Sequence, residues 1–234
     1  MDQNNIIGII GAMEVEVQQL CSQMEDASVE CISGITYTRG RLRGRECVVA
    51  MCGIGKVNAA MCAQTMILRY HPALVINTGV AGGIGDGVHI GDIVLATDVV
   101  QHDMDTTAVG DEKGFLSGVN LVHVPCGQEV LKSLRLAAKQ MPDTNFHEGT
   151  VATGDQFISG AQALHRIRRE FGAMACEMEG GSIGQVCYLN QVPFAVVRAI
   201  SDNADETSHM DYPTFVQLAA QKSVRLIENF LELA

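Results

Sequence analysis

The chain has 234 residues, of which 47% are apolar, and it carries a formal net charge of −11. Such an apolar fraction is typical of a globular protein with an aliphatic core and excludes a disordered or fibrous chain. The negative charge repels phosphate backbones and anionic lipids, so we expect neither nucleic acid nor a membrane as a partner. No Pro/Ser-rich or charged linker divides the chain, which predicts one domain over residues 1–234.

The N-terminus and the cysteines indicate the compartment. The segment MDQNNIIGIIGAME has an acid where a signal peptide needs positive charge, and its apolar run is too short for a membrane span. The eight cysteines form no CxxC pair and no zinc-like spacing, and several lie in apolar runs. We therefore predict a cytoplasmic protein whose thiols are reduced and buried in the core.

The first half of the chain predicts alternating elements. A buried strand over 6–10 precedes a helix over 14–24, and GITYTRGRLRGRECVVAMC predicts an antiparallel hairpin that turns at 42–44. The Ala/Met/Leu pattern from 56 to 70 predicts a helix that ends before Pro72. ALVINTG then predicts another buried strand.

The second half continues the alternation. GDIVLATDVV, HEGTVATG and PFAVVRAI predict strands, with a long loop over 103–120. Helices are predicted over 128–139, over 161–170, in MEGGSIGQVCYLN and from 214 to the end. Strands interleaved with helices predict a mixed sheet flanked by helices, which is a three-layer α/β domain.

A carboxylic acid, Asp202, follows the hydrophobic run PFAVVRAI at the point where a buried strand opens into a loop. Strand ends in α/β proteins face the ligand crevice. A carboxyl group partly withdrawn from water can hold a proton near neutral pH and act as a general acid. Asp202 is therefore a candidate proton donor.

The glycine-rich turn GIIGAMEVE after the first strand suggests a phosphate cradle, but neither GxGxxG nor GxxxxGK[ST] occurs in the chain. Glu14 and Glu16 place negative charge close to the amides that would receive a phosphate. A general base for water fits this turn better. The alternative is a solvated helix N-terminus, where glutamate is common.

Two further motifs suggest nucleoside recognition. In GDQFISG, Phe157 could stack on a planar base while backbone groups meet the edge of the base. In ACEMEGG, Glu177 and Glu179 are two apart, so an extended backbone would point one of them into the domain, where ribose hydroxyls are suitable donors. Core packing of Phe157 and Ile158, and a helix-start pair of acids, are the competing interpretations.

The HDMD segment, residues 102–105, contains side chains that can bind metals. It lacks a second histidine at suitable spacing, and no nearby residue completes a ligand set. We therefore predict neither a metal site nor a cofactor.

Taken together, GIIGAMEVE, GIGKVNAA, NTGVAGG, HDMD, GDQFI, EMEG and VVRAISDNAD resemble, in order and over nearly the whole chain, the bacterial 5′-methylthioadenosine/S-adenosylhomocysteine nucleosidases of the nucleoside phosphorylase superfamily. The resemblance implies a three-layer fold around a mixed, partly barrel-like sheet. It also implies a homodimer that completes its active site across the interface. The substrates would be a small adenine nucleoside and water.

The resemblance also implies roles for individual residues. Glu16 would activate water, Asp202 would protonate adenine at N7, and Glu179 would hold the ribose hydroxyls. The other residues that it places around the substrate are Gly82, Ile54, Phe157, Ile158, Met178, Val109 and Tyr212. The implied reaction is hydrolysis of the N-glycosidic bond of a 5′-substituted adenosine.

Two other functions stay open at this stage: a phosphate-dependent purine nucleoside phosphorylase and a non-catalytic nucleoside-binding domain. The carboxylate of Glu16 would repel phosphate, which favours water, and the presence of Glu16 and Asp202 favours an enzyme.

The chain departs from the family pattern in two places. Val80 replaces the serine of NTGSAGG, and the loop after HDMD has Thr106, Val109, Asp111 and Ser117 where apolar and aromatic residues are usual. The 5′ substituent is therefore open: methylthioadenosine, S-adenosylhomocysteine, 5′-deoxyadenosine and a futalosine-type nucleoside all remain candidates. Asp111 could meet the amino group of a homocysteine tail.

Overall fold

The structure is a computed structural model that describes residues 5–202 and 208–233, with side chains from residue 215 onward in the second range. Its α-helices are α1 (Glu14–Ser22), α2 (Lys56–Tyr70), α3 (Gln128–Ala138), α4 (Ala161–Phe171), α5 (Gly180–Leu189) and α6 (Ser208–Leu233). Its strands are β1 (Ile7–Gly11), β2 (Glu25–Ile32), β3 (Ile35–Leu42), β4 (Arg45–Met51), β5 (Leu74–Gly83), β6 (Ile93–Gln101), β7 (Val124–Pro125), β8 (Phe146–Thr153), β9 (Ala175–Glu177) and β10 (Phe194–Asp202).

Five strands close into a small barrel. The order is β10-β6-β8-β9-β5, and β5 pairs again with β10, which completes the ring. The β5/β10, β6/β8 and β8/β9 pairs are parallel, whereas β6/β10 and β5/β9 are antiparallel. Beyond β5 the sheet continues through β1, β4, β3 and β2. The mixed, partly barrel-like sheet predicted from the family resemblance is confirmed.

Successive residues of the strands pack on opposite faces of the sheet. Val48 and Ala50 of β4 belong to a buried cluster that includes residues of α2 and α5. Cys47 and Val49 belong to a second cluster that includes residues of α1, α3 and α6. Because side chains alternate along a strand, helices cover the sheet on both faces. The three-layer α/β architecture is confirmed.

Most predicted elements lie where the sequence placed them, with small shifts at their ends. Helix α2 has the predicted bounds, and the β3/β4 hairpin turns through Arg43 and Gly44, whose φ angles are 49° and 77°. These left-handed conformations match the twist of a two-residue hairpin loop. Helix α6 begins at Ser208, earlier than the predicted start at residue 214.

Strand β2 was not predicted, and its burial explains why. It is the last strand in the sheet order, and most of its side chains are exposed, so the sequence shows no alternation of apolar and polar residues. The eight cysteines are free. Six are buried as predicted, but Cys31 on β2 is exposed. No helix among the described residues combines the length and the apolar character that a bilayer span requires.

Gly184 lets helix α5 approach the sheet closely. A Cβ added there would lie 2.7 Å from Cγ2 of Val99 and 2.8 Å from Cε2 of Phe194, both buried. In an open helix, replacing glycine by alanine stabilises by about 1 kcal/mol. At this buried position overpacking costs about 1–3 kcal/mol, so the substitution lowers the free energy of unfolding. We therefore expect Gly184→Ala to lower the urea midpoint of unfolding, and a raised midpoint would contradict this packing.

Candidate active site

One pocket lies at the carboxyl ends of β5, β9 and β10, beside the start of α1. It contains about 590 Å³ of empty space and is partly open to solvent. Eight of the ten residues predicted to form the site line this pocket: Glu16, Ile54, Gly82, Phe157, Ile158, Met178, Glu179 and Asp202. The fold therefore brings together side chains from six separate motifs, as expected where parallel strands end.

Glu16 is buried and turns back onto its own helix start. Its Oε2 accepts hydrogen bonds from the backbone N–H groups of Ala12 at 2.7 Å and Met13 at 2.9 Å. Its Oε1 accepts from the N–H of Val80 on β5 at 3.0 Å. Reaching back to the N-cap amide is typical of a glutamate at the third position of a helix. The carboxylate therefore occupies three amides that could otherwise bind an anion.

Arg198 is 1% exposed, although it lies within the apolar strand β10. Its guanidinium donates hydrogen bonds to Glu177 and to Asn77, and it lies 3.9 Å from Oε2 of Glu179. A buried cation requires such partners because its desolvation is costly. The side chains of Glu16 and Arg198 approach Gly79 closely. A Cβ added at Gly79 would lie 2.6 Å from Oε1 of Glu16 and 2.7 Å from Nη1 of Arg198.

Glu177 organises the turn between β9 and α5. It accepts hydrogen bonds from the Thr153 hydroxyl, from the N–H of Glu179 at 3.0 Å and from the N–H of Gly180 at 2.7 Å, as well as from Arg198. The sequence predicted that one glutamate of the EME motif faces inward. That prediction was wrong in number, because Glu177 and Glu179 are both buried.

Glu179 has fewer donors than Glu177. Its Oε1 accepts from the N–H of Gly55 at 2.9 Å. Burial and the neighbouring charge of Glu177 raise the pKa of Glu179 to about 7, against the opposing effect of Arg198. The carboxyl group can therefore gain or lose a proton near neutral pH while it faces the pocket.

Asp202 is 2% exposed and lies at the end of β10. The pairing with β5 shifts register between Ile200 and Asp202, so that Asp202 pairs with Gly82. Such a bulge redirects a side chain at the end of a strand. Oδ2 accepts a hydrogen bond from the Ser201 hydroxyl at 3.0 Å. The bulge thus brings the candidate proton donor into the pocket wall.

The GDQFISG loop contributes two different surfaces. Ile158 is buried in a core cluster with residues of α4, so the core-packing interpretation holds for it, while it also lines the pocket. Phe157 is 51% exposed, so the core-packing interpretation fails for that ring. Ile54, 55% exposed, is a second apolar side chain on the pocket wall.

Two predicted residues are not placed in the pocket. Val109 lies on a short 3₁₀ helix (Thr107–Val109), is 81% exposed and does not line the pocket of this chain. Tyr212 lies on α6, and its side chain is outside the described residues. In the same loop, Thr106 donates to Asp111 at 2.7 Å, at the exposed surface.

Sequence reasoning did not assign functions to Arg198 or Glu177. A charged residue inside an apolar strand is itself a signal, because arginine is almost never fully buried without a partner. Asp103 of HDMD pairs with the ammonium group of Lys56 at 2.7 Å. Among the described residues, no three His, Cys, Asp or Glu side chains form a group that could hold a metal ion.

The model of the Phosphorylase superfamily matches residues 6–232. The chain is 39% identical over 227 residues to the 5′-methylthioadenosine/S-adenosylhomocysteine nucleosidase of Shewanella loihica, covering 97% of this chain and 98% of the relative. The chain therefore belongs to the phosphorylase superfamily. Within it, the chain belongs to the family of 5′-methylthioadenosine/S-adenosylhomocysteine nucleosidases, which confirms the resemblance seen in the motifs.

Solved structures agree with this assignment. The nucleosidase of Neisseria meningitidis, in complex with methylthio-immucillin-A, has a TM-score of 0.95 at 32% identity and covers 97% of this chain and 99% of its own. The futalosine hydrolase of Helicobacter pylori has a TM-score of 0.93 at 31% identity, with 97% of each chain covered. Both kinds of nucleosidase thus share this fold.

The raised pKa of Glu179 predicts a pH-dependent stability. Between its ordinary value of 4.5 and about 7, the folded state holds a proton that the unfolded state has lost, so stability falls as pH rises through this window. The loss is about 1.4 kcal/mol for each unit by which the pKa is raised. We expect Glu179→Gln to remove this loss in urea titrations at pH 4.5–8.

The control for this experiment is Glu170→Gln, which changes a partly exposed glutamate paired with Lys113 at 3.0 Å. Its stability curve should stay parallel to that of the unmodified protein. Parallel curves for Glu179→Gln as well would contradict the proposed titration.

Proposed function

We propose that this protein hydrolyses the N-glycosidic bond of 5′-substituted adenosines to adenine and the 5′-substituted ribose. The observation that carries the proposal is the shared pocket of Glu16, Glu179 and Asp202 beside Phe157. A buried acid, a buried base near the helix start and a third carboxyl group in the same pocket supply the groups that cleavage of such a bond requires. The family supplies the substrate class.

The three carboxyl groups take different roles in this proposal. Asp202 donates a proton to N7 of adenine, so that the base leaves as a neutral molecule. Glu179 accepts hydrogen bonds from the ribose hydroxyls while positive charge develops on the sugar. Glu16 removes a proton from the attacking water, whose oxygen bonds to the anomeric carbon. The proton donated by Asp202 and the proton taken by Glu16 balance over the reaction.

The geometry favours water over phosphate as the nucleophile. The amides of Ala12, Met13 and Val80 donate to the carboxylate of Glu16, and the guanidinium of Arg198 is paired with Glu177. These donors and this cation are the groups that would bind an anion in the pocket. With them satisfied by acids of the chain itself, a neutral nucleophile meets less electrostatic repulsion than a phosphate.

The 5′ group is the open part of this proposal. The similar structures include a methylthioadenosine/S-adenosylhomocysteine nucleosidase and a futalosine hydrolase. The tail loop of this chain carries Thr106 and Asp111 in hydrogen-bond contact, which is more polar than an apolar cover. We propose methylthioadenosine and S-adenosylhomocysteine as substrates, with 5′-deoxyadenosine and a futalosine-type nucleoside as the alternatives to assay beside them.

We also propose that the enzyme is a homodimer of one-domain chains in the cytoplasm. The family resemblance implies the homodimer, and Val57 and Val109, which are 77% and 81% exposed, are apolar side chains that such an interface would cover. The free thiols support a reducing compartment, where disulfides are rare. Light scattering should give twice the chain mass of 25.1 kDa, and a mass of one chain would contradict the dimer.

Loss of the proposed acid should abolish turnover. Asp202→Asn keeps the size of the side chain but removes its ionisable proton, and one positioned acid contributes about 10²–10⁴-fold. We expect adenine release from methylthioadenosine to fall by that factor. In the unmodified protein the release should not depend on phosphate and should yield the free 5′-methylthioribose.

The control is Asp98→Asn, an aspartate that accepts from His123 and does not line the pocket. A near-normal rate for Asp202→Asn would contradict the role of the acid. A ribose 1-phosphate product would favour a phosphorylase, and no turnover of the unmodified protein would favour a binding domain.

Asp111 tests the nature of the 5′ group. If its carboxylate meets the amino group of a homocysteine tail, Asp111→Ala should lower kcat/KM on S-adenosylhomocysteine about tenfold and leave methylthioadenosine within about twofold, a typical loss for one charged contact. Steady-state rates on both substrates measure this. An equal loss on both substrates would rule the contact out.

A further inference from the structure

Three residues with no assigned role, each from a different motif, meet at one polar junction outside the pocket. Lys56 at the start of α2, Asp103 of HDMD and Asp155 of GDQFISG form this junction, which we call the Lys56–Asp103–Asp155 junction. The Lys56 ammonium donates to Oδ1 of Asp103 at 2.7 Å, and the Lys56 N–H donates to Oδ1 of Asp155 at 2.8 Å. The N–H of Asp155 donates to Oδ2 of Asp103 at 2.9 Å, which closes the triangle.

The ion pair between Lys56 and Asp103 is partly shielded from water, which strengthens it, whereas the two hydrogen bonds of Asp155 lie at the surface. The side chains of Lys56 and Asp103 are 20% and 19% exposed. Burial alone would raise the pKa of Asp103, but hydrogen bonds from Lys56 and from the N–H of Asp155 outweigh burial and lower that pKa. Asp103 is therefore ionised at neutral pH, and the hydrogen bonds to it are charge-assisted.

The same helix start also holds the ribose end of the site. The N–H of Gly55 donates to Oε1 of Glu179, and the next N–H, that of Lys56, donates to Asp155. Gly55 has a φ of 98°, and an added Cβ would lie 3.0 Å from Oδ1 of Asp155. Adjacent amides therefore bind the carboxyl group proposed for ribose and the loop that carries Phe157.

The loop that carries Phe157 has a second contact with the HDMD motif. The buried ring of His102 packs against Gly154, where an added Cβ would overlap the ring, and the N–H of His102 donates to the carbonyl of Thr153 at 2.9 Å. Phe157 itself is half exposed, so core packing supplies only part of its position. Tethers at residues 154 and 155 act two to three residues before the ring.

We propose that the Lys56–Asp103–Asp155 junction positions the adenine-stacking loop relative to the ribose carboxyl group of Glu179. Asp155, Asp103 and Lys56 are positioning residues, because none of them lines the pocket. The identity of the base that the loop binds rests on the proposed function, whereas the hydrogen bonds of the junction do not. Its loss displaces Phe157, which weakens binding of the base in the ground state and the transition state alike.

The experiment compares Asp155→Ala with Asp155→Asn and with the control Glu170→Gln. Alanine removes the acceptor for the Lys56 amide, whereas asparagine retains a carbonyl oxygen there. Uniform loss of binding raises KM with kcat little changed. We expect Asp155→Ala to raise KM for methylthioadenosine about tenfold, with kcat within about twofold, and Asp155→Asn to stay within about threefold for both.

Binding of free adenine, measured by calorimetry, separates positioning from general loss of stability. Asp155→Ala should weaken adenine binding about as much as it raises KM, while Glu170→Gln leaves both values unchanged. If Asp155→Ala does not fold, Asp103→Asn tests the junction from its other side, because it weakens the bonds from the Lys56 ammonium and the Asp155 N–H and leaves the Asp155 acceptor at the helix start intact. We expect it to weaken adenine binding about fivefold.

Two results would overturn the junction as a positioning device: unchanged KM and adenine affinity in a folded Asp155→Ala or Asp103→Asn variant, or a fall in kcat at unchanged KM. Failure of the proposed function looks different. In that case the unmodified protein releases no adenine from methylthioadenosine, whereas the comparison of adenine affinities among the variants still tests the junction.

Discussion

The buried guanidinium of Arg198 is the interaction on which the site depends. Removing a cation from water is costly unless carboxylates surround it, and Glu177 and Glu179 supply them. Their shares are unequal, because Glu177 also accepts from Thr153 and from backbone amides, whereas Glu179 has the amide of Gly55. The charged form of Glu179 is therefore less stabilised than that of Glu177, and the pKa of Glu179 is raised to about 7. The carboxyl group of Glu179 can therefore accept hydrogen bonds from the hydroxyl groups of a ligand, which replace those that bulk water would give it.

The fold brings these groups together because strand ends from distant parts of the chain converge. The carboxyl ends of β5 and β10 lie side by side because these strands are parallel, and the short antiparallel strand β9 pairs with the end of β5. Glu16 joins them from α1 through the amide of Val80. The bulge before Asp202 turns its side chain toward the pocket, because the alternation of a regular strand would place that side chain on the other face. Closure of the barrel therefore assembles the site from motifs that lie far apart in the sequence.

Sequence patterns predicted this arrangement unevenly, for physical reasons. Helix α2 was predicted with its bounds because its apolar spacing is periodic, whereas β2 was missed because an exposed edge strand carries no burial pattern. Motifs predicted Glu16 and Asp202, but the partners of Arg198 depend on contacts between β9 and β10 that no local pattern encodes. Val109 lies on an exposed 3₁₀ helix outside the pocket of its own chain, a position that the motif alone does not predict.

In the proposed function, water is preferred to phosphate because the Glu16 carboxylate occupies three backbone amides that would otherwise bind an anion. Val80 replaces a serine that is usual in the family, yet its contribution to Glu16 is an N–H, which any residue except proline supplies. The proposed base therefore keeps its position without the hydroxyl. What the substitution removes is one donor from the pocket wall, and an apolar wall favours an anion less than a hydroxyl would. In the proposed function, selection against phosphate is thus at least as strong with valine as with serine, and orientation of the water falls to Glu16.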